Sequence, residues 1–448
     1  MRKLSLPAVL AALVLVITGC VERVPSTPSG TPPGGAVNTP TPGSVGGKTE
    51  LTLFTWTEVD ELKVNQELIK EFEKEHPDIT VKIDNISGSK DAMQKLETMF
   101  ATKTGPDVMS LHGAYYIGFA DAGALADLNQ FIKDDPDFHL EDIHPRLVEL
   151  CKYKDGLYSL PRYTSVYSIF YNKGLFDAEG IPYPKASWTW DDYHQIAKKL
   201  TKDRDGDGKP DQWGCIIDFW GARLYPWLWS NNADLMDKDR QKCVIDSANA
   251  KEALGFMANL RIKEKLAPAT TSTERNEALN QFARGNVGMY MTGPWDIQTL
   301  NRVPNLKWDV APFPKKRTQS TMLGTENYAV YAHSKHPKEA WELFKFLLSP
   351  KAQAIMAEKL DKMPSRLSVL KGAYAKGKAS YNRQVYVDAV EYGLQPPNFP
   401  EYSQVEGILQ AELDRIWIGQ VSVDEGLTSV AKKVNKKLEE IRGHKGSG

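Results

Sequence analysis

The apolar positions of the chain alternate between two periods. LTLFTW (51–56) is a short apolar run of the kind that makes a buried strand, and ELKVNQELIKEFEKEH (61–76) then repeats Leu68, Ile69 and Phe72 on one helical face until His76-Pro77 stops it. ITVKID (79–84) alternates as a strand does. DAMQKLETMFATKTG places Met93, Leu96 and Phe100 at helical spacing, and PDVMSL supplies another strand. This strand–helix order predicts an α/β fold with a parallel sheet covered by helices, and such sheets take ligands at the carboxyl ends of their strands. Further on, Ala340, Trp341, Phe344, Leu347 and Leu348 mark an amphipathic helix, and about the last 80 residues read as helical.

The first 48 residues break this pattern. MRK is positively charged, LSLPAVLAALVLVI is apolar but shorter than the ~20 residues of a membrane span, and ITGC sets small residues before Cys20. This resembles a bacterial lipoprotein signal peptide (1–19), after which Cys20 is acylated and anchors the chain to a membrane. Residues 20–48 then form a disordered tether: 19 of the 28 residues after Cys20 are Pro, Gly, Ser or Thr, too little apolar surface to offset the entropy of ordering. No later stretch reaches the length of a span. The expected location is the extracellular face of the cell membrane, by analogy in a Gram-positive type of envelope.

Charge and cysteines narrow the chemistry. Without Arg2 and Lys3 the formal charge goes from −1 to −3, which excludes a strongly basic nucleic-acid binder. Cys151, Cys215 and Cys243 remain after Cys20, an odd number without CxxC spacing, so neither a disulfide framework nor a zinc site is expected. Cys215 and Cys243 could pair, though buried thiols are the better reading. About 400 residues remain for the body, enough for two domains.

One loop offers metal chemistry. TKDRDGDGKPDQWG (201–214) carries Asp203, Asp205 and Asp207 at alternate positions, with Gly208 where a calcium-wrapping loop turns sharply. Gly214 stands where such a loop ends in a bidentate Glu. Two readings stay open. One is a structural calcium held by Asp203, Asp205, Asp207, the Lys209 carbonyl and Asp211; the other is a polar turn in which the Asp side chains bond their own backbone. Neither is a calcium sensor, and no cofactor is required.

An ordered set of motifs carries a resemblance: LTLFTW…FEKEHPDITVKI, GPDVMSLHGAYYIGFADAGALADLNQFI, KDGLYSLPRYTSVYSIFYNKGLFDAEGI, SWTWDDYHQIAKKLT, GNVGMYMTGPWDI, AWELFKFLLSPKAQ and KMPSR. It resembles the maltose-binding-protein-like solute-binding proteins of carbohydrate ABC importers and spans nearly all of Glu50 to Arg442. The resemblance implies a two-lobed periplasmic-binding-protein-like fold with a ligand cleft between lobes that close by a hinge. It assigns 49–163 plus 326–362 to lobe one and 164–325 plus 363–448 to lobe two. It further implies a monomer that delivers a sugar to ABC-transporter permease subunits.

A sugar site needs aromatic platforms for C–H faces and polar side chains for hydroxyls. At strand ends, Trp56, Glu58, His112, Tyr115 and Tyr116 are candidates in lobe one. In lobe two, Trp295 is the leading one, presented by the Gly293-Pro294 turn with Asp296 beside it, and Trp220 precedes Trp227 in preference. Arg162 and Tyr163 lie at the first crossing, Glu326 and Asn327 at the second, and Arg366 at the third. Trp188, Trp190, Trp341 and Trp417 read as structural. Several wide-set aromatics favour an oligosaccharide. The alternative is a secreted glycoside hydrolase, with Glu58, Asp296 and Glu326 as its possible carboxylates. GxSxG, HExxH and GxxxxGK[ST] motifs are all lacking.

Overall fold

The computed structural model describes residues 47–113, 115–217, 221–268, 275–397, 399 and 401–445. The signal segment, Cys20, nearly all of the tether and Trp220 lie outside these residues. Along the described chain run β1 (Thr49–Thr55), β2 (Ile79–Asn85), β3 (Val108–His112), β4 (Lys152–Tyr153), β5 (Gly156–Leu157), β6 (Leu160–Val166), β7 (Ser168–Asn172), β8 (Trp213–Ile216), β9 (Val287–Thr292), β10 (Trp308–Ala311), β11 (Thr321–Val330), β12 (Met363–Pro364) and β13 (Gly393–Leu394).

These strands form two main sheets. The first has the order β12-β6-β11-β3-β1-β2 with β13 beside β11, and the second has the order β10-β7-β9-β8. The parallel pairing expected from the opening strand–helix repeats is present where β1 pairs with β2 and β3. Elsewhere the sheets are mixed: β11 runs antiparallel to β3 and β6, and β7 runs antiparallel to β9 and β10. The chain also changes sheets directly: β6 ends at Val166 and β7 begins at Ser168, so Tyr167 alone separates the two sheets along the chain.

A shared apolar cluster joins the sheets, with Val166, Leu323 and Met363 of the first beside Phe170 and Tyr290 of the second, and each sheet also has a core of its own. In the first, the helix Val59–Glu75 buries Val64, Leu68, Ile69 and Phe72 against Leu51 and Leu53 of β1. The helix Pro337–Leu347 adds Trp341, Phe344 and Leu347 to the same cluster. Trp341 stacks on Phe131 and Phe344 and donates from Nε1 to Asp135 at 3.0 Å. Around the second sheet, the helices Trp190–Leu200, Tyr225–Ser230 and Ala248–Ala258 share a core with the C-terminal helices Tyr402–Trp417 and Val423–Lys445. The helical reading of the C-terminus is therefore correct. Among the described residues no helix is long and apolar enough to cross a membrane.

The three described cysteines are free and buried. Burial pushes the thiols of Cys151, Cys215 and Cys243 up to about 12 in each case. Cys215 and Cys243 do not pair.

Candidate functional site

Where the chain passes between sheets, four charges are gathered around one glutamate. Glu61, in the first turn of Val59–Glu75, pairs with Arg162 of β6 and lies 2.7 Å from Lys362, the residue before β12. Arg162 also reaches Glu326 of β11 at 2.9 Å, Tyr163 Oη at 2.8 Å and Tyr328 Oη at 3.2 Å. Tyr163 donates to Glu326 as well. All three segments expected to cross between lobes therefore meet here. Two acids and two bases balance, which is what burial of charge requires. Burial alone would raise the Glu61 carboxyl, but Arg162 and Lys362 together hold it below its ordinary value. Glu326, expected to meet ligand hydroxyls, is thus engaged by Arg162 and Tyr163, and Arg162 takes the salt-bridge role that was the other expectation for an arginine at a crossing.

In the first sheet, the residues after β1 and β3 come together. Trp56 is half-buried, with its ring centroid 6.2 Å from His112, and His112 meets Tyr115 edge-on at 5.8 Å. Asn85, at the end of β2, fixes the turn that carries Trp56. Its Oδ1 accepts from Thr55 Oγ1 (2.8 Å), Thr57 N (2.9 Å) and Thr57 Oγ1 (3.0 Å), and its Nδ2 donates to Thr57 O (3.0 Å). Trp56 Nε1 is buried and has no hydrogen-bond partner among the described residues. Burial pushes the His112 imidazole below its usual value, and Glu326 opposes this. Glu58 is exposed and accepts from Ser87 Oγ at 3.0 Å. Tyr116 is buried and donates to the Lys152 carbonyl at 2.8 Å, so of the two tyrosines only Tyr115 belongs with this aromatic group.

The second sheet presents Trp295 just past β9. Its ring meets Tyr167 edge-on at 5.3 Å and is half-buried, not largely exposed as an open-cleft indole would be. Gly293 is required beneath it, since a Cβ there would lie 2.3 Å from the indole. Asp296 is buried and accepts from Thr292 Oγ1 at 2.6 Å and Tyr290 Oη at 3.2 Å. Arg223 reinforces the same turn, donating to the Met291 carbonyl (2.7 Å) and Tyr290 Oη (3.1 Å). Asp296 is thus a bracket for the turn that carries Trp295. Arg302, just past the helix Ile297–Asn301 that follows Trp295, places its Nη2 2.7 Å from Asp60 Oδ2 in the first turn of Val59–Glu75. This ion pair brings the segment after β9 against the segment after β1.

Three expectations are corrected. Trp227 is a core residue, enclosed by Trp190, Tyr193, Phe256 and Phe313 with centroids 4.7–5.5 Å away; its helix Tyr225–Ser230 is buried on every side. Asn327 is fully buried and donates to Ser159 Oγ at 3.0 Å, because its neighbour Glu326 takes the opposite face of β11. Arg366 is spent on backbone carbonyls, donating to Leu348 (2.6 Å), Phe138 (2.9 Å) and His139 (3.1 Å).

The aspartate loop is exposed. Asp203, Asp205 and Asp211 bring carboxylate oxygens within 4.8 Å of one another. Asp207 is outside this group and accepts from Lys209 N at 2.8 Å. Asp203 accepts from Gly206 N (2.7 Å) and Gly208 N (2.9 Å), the bonds expected of a polar turn.

Residues 57–354 match the bacterial extracellular solute-binding protein family, and the chain belongs to it. It is a binding protein of the ABC-transporter type, not an enzyme. It is similar to a putative binding protein of Brucella abortus (25% identical, covering 83% of this chain and 88% of that one). It is also similar to the arabinooligosaccharide-binding protein of Bacillus subtilis (26% identical, 75% and 73%). Among solved structures it resembles an ABC substrate-binding protein from Listeria monocytogenes in complex with cycloalternan, with a TM-score of 0.79, 26% identity and coverage of 88% of this chain and 99% of that one. The fold is accordingly the two-lobed one of this class.

The charge cluster makes a testable demand. Glu61→Gln leaves Arg162 and Lys362 short of a buried counter-charge and should destabilise the protein by about 3–5 kcal/mol at neutral pH. The Glu61 carboxyl is depressed in the folded state, so its contribution is full above the unfolded carboxylate value and is lost as pH falls through the lower folded value. Denaturant unfolding should show the gap between wild type and variant narrowing only in that acid range. A gap independent of pH would contradict this account.

Proposed function

We propose that the protein captures an oligosaccharide between its lobes and presents it to the permease subunits of an ABC importer. The observation that carries this reading is the Asp60–Arg302 ion pair, which brings the segment after β1, with Trp56, against the segment after β9, with Trp295. Trp56 and Trp295 supply stacking faces from opposite lobes, and Trp56 Nε1, His112 and Glu58 supply hydrogen-bonding groups. A ligand touching both lobes favours the closed arrangement by that difference in contact. The relatives named for arabinooligosaccharide binding and for a cycloalternan complex support the chemical class. Hydrolysis is disfavoured by the site itself. Asp296 is buried in its turn and Glu326 is engaged by Arg162 and Tyr163, so Glu58 has no free carboxylate to work with among those three.

Isothermal titration against malto-, arabino- and galacto-oligosaccharides tests the reading, and tryptophan fluorescence should change with the sugar that binds. Trp295→Ala should then weaken binding by about 2–4 kcal/mol, as buried aromatic anchors do. Trp341→Ala serves as the contrast, leaving affinity intact while lowering stability by about 3–5 kcal/mol. If Trp295→Ala kept full affinity, the indole would not be a sugar platform.

The anchor and the loop are part of the same proposal. Cys20 carries the lipid that holds the body at the outer face of the membrane. Cys20→Ser should move the protein into the soluble fraction with its sugar affinity unchanged; retention in salt-washed membranes would refute the anchor.

For the loop two readings remain: a structural calcium on Asp203, Asp205, Asp207, the Lys209 carbonyl and Asp211, supported by the oxygens of Asp203, Asp205 and Asp211 lying within 4.8 Å of one another, and a polar turn, supported by the bonds Asp203 accepts from Gly206 and Gly208. On the calcium reading, excess chelator should lower the melting temperature and calcium restore it, with little effect on affinity well below melting. An unchanged melting curve would leave the loop as a polar turn.

A further inference from the structure

Asp60 and Arg302 stand on separate, firm supports. Asp60 is next to Glu61, whose carboxylate is held by Arg162 and Lys362, and their helix packs on the first sheet. Arg302 follows the helix Ile297–Asn301, which buries Ile297 and Leu300 in one cluster with Val287 and Tyr290 of β9. The two side-chain ends lie in solvent, with Asp60 51% and Arg302 67% exposed. Asp60 has a second cation within reach on its own helix: Lys63 Nζ lies 3.7 Å away, against 2.7 Å for Arg302 Nη2. We propose that Asp60 is an exchangeable latch, which holds the ligand-free lobes together through Arg302 and falls back on Lys63 when they part. The inference rests on the reading that the lobes close on a ligand, and adds what regulates that closure.

Exchange of partners keeps opening easy. An aspartate that left Arg302 for water alone would lose the whole pair, whereas Lys63, three residues along the same helix face, restores part of it. The latch is also weak, because both ends are exposed and such pairs change an equilibrium by at most about fivefold. A factor of that size is felt when both arrangements are populated, as in a protein that shifts between them on binding. Exposure further makes the balance responsive to salt. The screening length falls from about 30 Å at 0.01 M ionic strength to about 3 Å at 1 M, so the pair is strong in a dilute medium and screened in a concentrated one. The buried Glu61–Arg162 pair is shielded from that screening and holds the passage segments together in either medium. Ionic strength thus sets how far the ligand-free lobes stand apart.

The test measures the distance between lobes in the ligand-free protein. Spin labels at Gln94→Cys, exposed on the helix Ser89–Ala101, and at Lys199→Cys, exposed on Trp190–Leu200, report it in a chain carrying Cys20→Ser; the other three cysteines are buried. In about 0.01 M salt, Asp60→Asn and Arg302→Gln should each lengthen the label distance, and the double variant should lengthen it no further. Lys63→Gln, which removes only the fallback partner, should shorten it. Wild type in about 1 M salt should match the Asp60 and Arg302 variants, which salt should leave where they are. Affinity for the oligosaccharide that binds should fall by up to about fivefold in those two variants. Unchanged distances in the single variants, additive effects in the double one, or no shift in Lys63→Gln would overturn the latch. If the wild-type distance responds to none of the malto-, arabino- and galacto-oligosaccharides, it is closure on an oligosaccharide that fails, and the two failures are read separately. A melting curve for each variant confirms that it folds.

Discussion

Burying charge is costly unless it is matched, and this protein matches the buried Glu61 and Arg162 with the half-buried Glu326 and Lys362 where its chain passes between sheets. Glu61 belongs to a helix of the first sheet, whereas Arg162, Glu326 and Lys362 each sit on or beside a strand at a passage. Because every member depends on the others for compensation, the three segments cannot drift apart independently. Hinge motion between the lobes must then bend residues flanking this cluster while leaving the cluster whole. Tyr167, alone between β6 and β7, is the most direct such position, and it also supports Trp295. The segment that separates the sheets thus touches the side chain proposed to hold the ligand.

The cleft is held ready by groups that never need to meet sugar. Asn85 uses both ends of its amide to fix the turn behind Trp56, and Asp296 with Arg223 fixes the turn beneath Trp295. Fixing these turns beforehand removes ordering cost from binding, which is how a few stacking contacts give useful affinity. By contrast, the Asp60–Arg302 pair that spans the strand ends is exposed on both sides and therefore weak. That is suitable for a contact that must break each time the cleft opens.

The fold class and element types were legible because they follow periodicity and motif order, as with Leu68, Ile69 and Phe72 on one helix face. Strand direction was not, since the alternation of a strand is the same whichever way its neighbour runs, as with the antiparallel β7 and β11. What was legible of the candidate site residues is their position: Trp56, Tyr115 and Trp295 come after strands and His112 ends one, as their places in the sequence predict. Residue type misled where burial decides. Trp227 has the chemistry of a platform but sits on a short helix packed all round, and Arg366 has the chemistry of a ligand clamp but satisfies helix-end carbonyls. Glu61, Asn85 and Arg223 escaped notice because single polar residues in a helix, a strand and a turn carry no local signature. A buried acid in an otherwise polar first turn becomes informative only when its distant partners are known.

The buried thiols bear on how the body is held together. Burial pushes all three thiols well above their usual range, and it is the thiolate that attacks disulfides and oxidants. Cys151, Cys215 and Cys243 behave instead as small apolar fillers of their cores. Among the described residues, then, no disulfide has to form before the body packs, and none is there for a reductant to cut.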